Sequence, residues 1–289
     1  MEKVLERLKK LFEIVRITFE KFAENRMGFQ CVSLSYFVTL AIVPMLAFIF
    51  AVSGGLGVED KVTAFLHEVL PSAFTYTDML VEKSRNIIDV AKSGPVGIVS
   101  ALMFLWTIIW LMFQTERIFN NVWGIRKIPR NIFKRFGFYF GLLLLIPFVV
   151  IIFSYGIALA TNATSLIGLD AAQWRFFGRL LSWFVLYAGS VLVFSAMFKY
   201  IPAVKVRYRY ALVAAVVDAF IFVAFQYLYL ETQTFMGRLN TVYGVLAAIP
   251  LFLIWLNLSW QIILYGAALT RALQEVDEPE AELKEPEEK

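Results

Sequence analysis

Residues Tyr210–Leu230 read YALVAAVVDAFIFVAFQYLYL, an apolar run interrupted by one ionisable side chain, Asp218. A helix crossing a hydrocarbon core of about 30 Å needs roughly 20 apolar residues, and this run has that length. Lipid offers the backbone no hydrogen-bond partners, so a crossing segment must be a helix or part of a closed barrel. A barrel strand would alternate apolar and polar positions. The run is continuous, so it predicts a transmembrane helix.

Five more stretches lack Asp, Glu, Lys, Arg and His: Cys31–Val58, Ser93–Thr115, Phe136–Leu169, Leu180–Phe198 and Leu239–Thr270. The composition agrees, with 60% hydrophobic and 17% charged residues against about 45–50% and 25% in soluble domains. The expected fold is all-α, with six transmembrane helices. The expected parts are an amphipathic helix over 1–30, a six-helix membrane domain over 31–273 and an acidic disordered tail over 274–289.

Orientation follows from the basic residues, which collect on the cytoplasmic side of short loops. Segments 1–30, 116–135, 199–209 and the C-terminal tail hold 20 Lys and Arg, and the remaining segments hold 7. This places both termini in the cytoplasm, as an even number of spans requires. The expected location is the cytoplasmic (inner) membrane, with membrane lipids as the surroundings. No cleavable signal peptide is visible in MEKVLERLKKLFEIVRITFEKF.

Val4, Leu5, Leu8, Leu11, Phe12, Val15, Phe19 and Phe22 recur at spacings of three and four. They predict an amphipathic helix running without a break toward the first span and lying in the cytoplasmic interface. The 59–92 loop predicts two short amphipathic helices on the opposite side of the membrane, divided at Pro71. The tail 275–289 contains eight acidic residues and two prolines, a composition that resists folding.

Asp218 is the leading candidate for a proton or polar-substrate site, because ionisable groups inside a membrane cost about 2.5–3.5 kcal/mol on insertion scales. Its structural alternative is a carboxyl hydrogen-bonded to a neighbouring helix. Ser33, Ser35, Tyr36 and Thr39 give the first span a polar start, suited to helix packing or to a polar cavity. Pro44, Pro147 and Pro250 lie inside spans and can kink them. GRLNTVYG at 237–244 brings Asn240 and Tyr243 to the bilayer edge as further cavity candidates. Arg126, Lys127, Arg130, Lys134 and Arg135 form a basic loop able to meet lipid headgroups, although topology alone accounts for its charge. With one histidine, His67, and one cysteine, Cys31, the chain offers no metal-ligand cluster, and no catalytic, cofactor or metal site is expected.

YIPAVKVRYRYALVAAVVDAF and GRLNTVYGVLAAIPLFLIWLNLSWQIILYGAALTRAL, with SLSYFVTLAIVPMLAFIFAVSG and FNNVWGIRKIPRNIFKRF, resemble the motifs of the YihY/BrkB family. The resemblance covers roughly residues 15–273 and implies a six-helix inner-membrane protein. Asn240, Tyr243, Gly244 and the Pro202 region fall on family motifs. Asp218 lies in a matching region but is not part of a motif. Family members have been labelled ribonuclease BN, linked by name to serum resistance and virulence, and discussed in envelope lipid export.

Phosphodiester hydrolysis needs a metal cluster or paired acid–base groups, and neither is legible here. A non-enzymatic transporter or lipid-handling protein without its own ATPase is favoured, with a structural or scaffolding membrane protein as the alternative. No nucleic-acid partner is expected, while a protein partner at the cytoplasmic face and a homo-oligomer stay open. A topology reporter fused to either chain end is expected to report the cytoplasm. Opposite sides for the two ends would refute an even number of spans.

Overall fold

The computed structural model describes residues 2–56, 94–125, 137, 171–237 and 241–278. These form six helices and no strand: α1 (Glu2–Glu24), α2 (Met27–Leu56), α3 (Gly94–Val122), α4 (Ala171–Tyr200), α5 (Tyr208–Gly237) and α6 (Thr241–Asp277). Each of α2 to α6 covers or overlaps an expected span. Phe136–Leu169, Pro147 and the expected loop helices of 59–92 lie outside the described residues. Leu102–Val122, Tyr208–Gln233 and Pro250–Asp277 are long and apolar enough to cross a membrane.

The helices run past the charge-free windows because polar residues also propagate a helix. Thus α3 takes in Glu116 to Asn121, and α6 reaches Asp277, inside the segment expected to be tail. One expectation is corrected at the N-terminus. The chain breaks between α1 and α2, where Arg26 adopts a left-handed φ of 49°. Asn25 supports the break by donating from Nδ2 to the Lys21 carbonyl at 2.9 Å. Pro44 and Pro250 each sit within one continuous helix.

The described residues divide into two compact units. One lies within Met1–Arg26, Glu116–Ala224 and Ile262–Lys289, the other within Met27–Thr115 and Phe225–Gln261. In the second unit, Trp255 donates from Nε1 to Gln226 Oε1 at 3.0 Å and stacks on Tyr229 at 5.1 Å.

The first unit is organised around the non-helical connection 201–207. Ile201, Pro202 and Val206 are buried and Ala203 and Val204 half-buried, so much of its backbone is shielded from water and gains from protein partners. Asn120 on α3 accepts the Ala203 N–H at 2.7 Å and donates to the Glu116 carbonyl at 2.8 Å. Gln274 on α6 accepts the Arg207 N–H at 3.1 Å and donates to the Lys205 carbonyl at 3.2 Å. Lys199 on α4 donates to the Val206 carbonyl. The C-terminus of α3 is closed by Gly124 at φ 77°, a left-handed position suited to glycine. There Arg271 donates to the Val122 carbonyl at 2.6 Å.

Replacing Asn120 by Ala leaves the half-buried Ala203 N–H without this acceptor. The expected cost is about 1–3 kcal/mol, read as a lower unfolding midpoint of the detergent-solubilised protein. An unchanged midpoint would show that this carboxamide does not hold the connection.

Candidate functional site

α5 distributes its side chains by size. Ala211, Ala214, Ala215 and Ala219 are fully buried, while Val213, Val217, Phe220 and Ile221 are exposed, Phe220 at 69%. A water-soluble helix buries its large apolar residues. Small residues inside and large ones outside suit a helix packed on protein along one face and on lipid along the other. Asp218 shares the alanine face and is 3% exposed.

Three helices close around this carboxyl. Gly266 on α6 lies so near that a Cβ placed there would stand 2.6 Å from Asp218 Cγ and 2.5 Å from Phe198 Cζ of α4. The missing side chain of Gly266 is the space the Asp218 carboxyl occupies. The Gly266 carbonyl accepts the Thr270 hydroxyl at 2.9 Å. The buried Ser195 hydroxyl turns back to the Leu192 carbonyl at 2.9 Å. On the far side of the turn, Tyr187 on α4 donates to the Val216 carbonyl at 3.1 Å. Asp218 Oδ2 is buried with no hydrogen-bond partner among the described residues. The site is therefore a carboxyl walled by a phenylalanine ring and a glycine backbone, with an open acceptor.

The sequence profile described as Virulence factor BrkB matches residues 18–289. The chain belongs to the BrkB family. Its relatives within the family's range include a UPF0761 membrane protein of Mannheimia succiniciproducens, 28% identical over 93% of this chain and 91% of the relative. Another, from Haemophilus influenzae, is 25% identical over 90% of this chain and 94% of its own length. A longer one from Aromatoleum aromaticum is 29% identical, with 90% of this chain matching 63% of the relative. No solved structure matches the chain significantly.

In this BrkB-family chain the other expected residues divide as follows. Ser33, Ser35, Tyr36 and Thr39 belong to the second unit, and Asp218 to the first. Ser35 donates to the Cys31 carbonyl and Thr39 to the Ser35 carbonyl, each at 2.8 Å. Those two hydroxyls serve their own helix, Ser33 is half-buried and Tyr36 is exposed. Tyr243 lies in the first turn of α6. Asn240, Arg126, Lys127, Arg130, Lys134 and Arg135 lie outside the described residues, as does His67.

Sequence reasoning missed Gly266, Asn120, Gln274 and Arg271. The run Gly266–Ala267–Ala268 carried a usable signal, since consecutive small residues in an apolar helix mark close helix contact. It also missed a group in the second unit on α6, where Asn257 Nδ2, Ser259 Oγ and Trp260 Nε1 are buried without partners among the described residues. Among the described residues no three His, Cys, Asp or Glu side chains gather as metal ligands would.

Gly266→Ala forces a methyl into atoms less than 3 Å away. Overpacking of this kind costs about 1–3 kcal/mol, read as a lower unfolding midpoint. In a double-mutant cycle, Asp218→Ala is expected to recover part of the loss, because it removes one of the two obstructing groups. Strict additivity would show that the two positions are not coupled.

Proposed function

We propose that this chain is a six-span protein of the cytoplasmic membrane, both termini inside, that moves or handles a lipid or other polar-headed solute without hydrolysing nucleotide. The observation that carries this reading is Asp218, buried in a helix long and apolar enough to span, with Oδ2 unpartnered. Leaving a buried acceptor unsatisfied costs about 1–3 kcal/mol. A small apolar residue at this position would avoid that cost, so the presence of Asp218 supports a role in accepting a hydrogen bond or a proton. A headgroup ammonium, a hydroxyl or a transferred proton would complete the site.

Family membership supports a membrane role and leaves the cargo open. The relatives are named as membrane proteins, with no reaction in their names. The basic residues Arg126, Lys127, Arg130, Lys134 and Arg135 are proposed to meet anionic headgroups on the inner face, each contributing about 1 kcal/mol near a charged surface. A hydrolytic reading finds no support in the described residues.

The test uses purified protein in vesicles carrying a fluorescent phospholipid, with movement between leaflets followed by chemical bleaching of the outer leaflet. Wild-type protein is expected to accelerate movement. Asp218→Asn, at matched protein density, is expected to slow it at least about tenfold, equivalent to about 1.4 kcal/mol. Equal rates for Asp218→Asn and wild type would remove Asp218 as the site.

A further inference from the structure

The first unit has a charged corner that the reading of Asp218 does not use. α5 begins there with Tyr208 and α6 ends there with Asp277. Glu278, one residue past α6, donates its N–H to the Gln274 carbonyl at 2.9 Å. Three groups converge on one of its oxygens, Oε1. The Tyr210 hydroxyl donates to it at 3.0 Å, Arg209 Nη2 donates to it at 3.1 Å, and Arg207 Nη1 stands 2.5 Å away. Arg209 also donates to the Tyr210 hydroxyl and lies over the Tyr210 ring at 4.4 Å. Tyr210 is buried, while both arginine side chains are more than half exposed. The site is therefore backed by protein and open outward.

The neighbouring charges leave this corner cationic. Asp277 lies 3.8 Å from Arg209 and pairs with Lys10 of α1. Glu275 pairs with Arg271 on its own helix, and Lys199 donates to the Val206 carbonyl. Lys205 is exposed. Lys10, Arg207 and Arg209 thus face Asp277 and Glu278, three cations against two acids. The chain continues through Pro279 into Glu280 and Glu282, so Glu278 is the acid of that run which the structure places on the donors.

The donors suit a different anion from the one they hold. A carboxylate oxygen has about two lone-pair sites, so three groups crowd Oε1. A phosphate offers several unesterified oxygens over which the same groups would spread, and its geometry matches the guanidinium fork. Ion pairs of exposed arginines are weak in water, which makes Glu278 a replaceable occupant. The position selects the source. The stretches Tyr208–Gln233 and Pro250–Asp277, long and apolar enough to cross a membrane, start and end at this corner, which puts it at the level of the headgroups. Tyr200 at the end of α4 and Tyr208 at the start of α5 are both exposed, as tyrosines at a membrane interface are. We propose that Arg207, Arg209 and Tyr210 form a binding site for the phosphate of an anionic phospholipid, and that Glu278 occupies this site until a headgroup displaces it.

The test titrates the full-length protein in detergent with phosphatidylglycerol or phosphatidylcholine and counts bound lipid by native mass spectrometry. Glu278→Gln is expected to bind phosphatidylglycerol several-fold more tightly than wild type, with phosphatidylcholine unchanged. Glu275→Gln, which removes an acid from the same helix end but not from the donors, is expected to match wild type. The gain of Glu278→Gln should vanish when Arg207→Gln/Arg209→Gln is added. It should shrink with Tyr210→Phe, a milder change that keeps the test decisive if the arginine variant does not fold. Inorganic phosphate should displace the lipid only at far higher concentration than the lipid itself. No gain in Glu278→Gln, or an equal gain in Glu275→Gln, would overturn the proposal, the second by showing a general effect of charge. A gain that survives both the arginine and the tyrosine changes would place the lipid elsewhere. Displacement by inorganic phosphate at matching concentration would overturn the lipid source in favour of free phosphate.

Discussion

The need to satisfy buried backbone without water governs the first unit. Helices meet this need internally. The connection 201–207 cannot, because it leaves the helix while Ile201, Pro202 and Val206 stay buried. Its amides and carbonyls are taken up by Asn120 from α3, Lys199 from α4 and Gln274 from α6. A loop that draws partners from three helices fixes where those helices end relative to one another, and therefore where α5 begins.

From that start, α5 carries its alanines and Asp218 on one face and its large apolar residues on the other. Large side chains gain nothing by leaving lipid for protein, since both are apolar, so packing favours small residues that let backbones approach. Gly266 takes this to its limit, since a Cβ there would stand 2.6 Å from Asp218 Cγ. The buried hydroxyls of Thr270 and Ser195 are spent on carbonyls of their own helices. A polar group in an apolar surround is thus left with an acceptor that no described residue fills.

The end of the first unit that carries the ion pairs is joined more loosely. Asp277 pairs with Lys10, and Glu278 with Arg207 and, at 3.1 Å, with Arg209. Exposed pairs of this kind contribute about 0–1 kcal/mol each and weaken with salt. The stacking of Phe22 on Tyr265 is less sensitive to ionic strength and anchors α1 near its C-terminal end. Coulombic contacts set the orientation of the partly exposed elements, while the ring contact and the buried Ile14 secure them.

The helices were legible in the sequence because a helix closes its hydrogen bonds locally, and five of the six long apolar runs fall on α2 to α6, the run Phe136–Leu169 lying outside the described residues. Asp218 was legible because a carboxyl among valines and alanines stands out from its neighbours in the chain. The break at Arg26 was not, since the apolar periodicity continues up to it and only the backbone dihedral reveals the turn. Nor were Gly266, Asn120 and Gln274, which are unremarkable beside their own neighbours. Their roles come from residues on other helices: a phenylalanine and an aspartate for one, buried amides for the others. Apolar length and charge placement alone therefore determined the helical class and the odd acid. Tertiary packing decided that the acid meets a glycine and, among the described residues, no donor to Oδ2, because contact between distant segments is not encoded in any one of them.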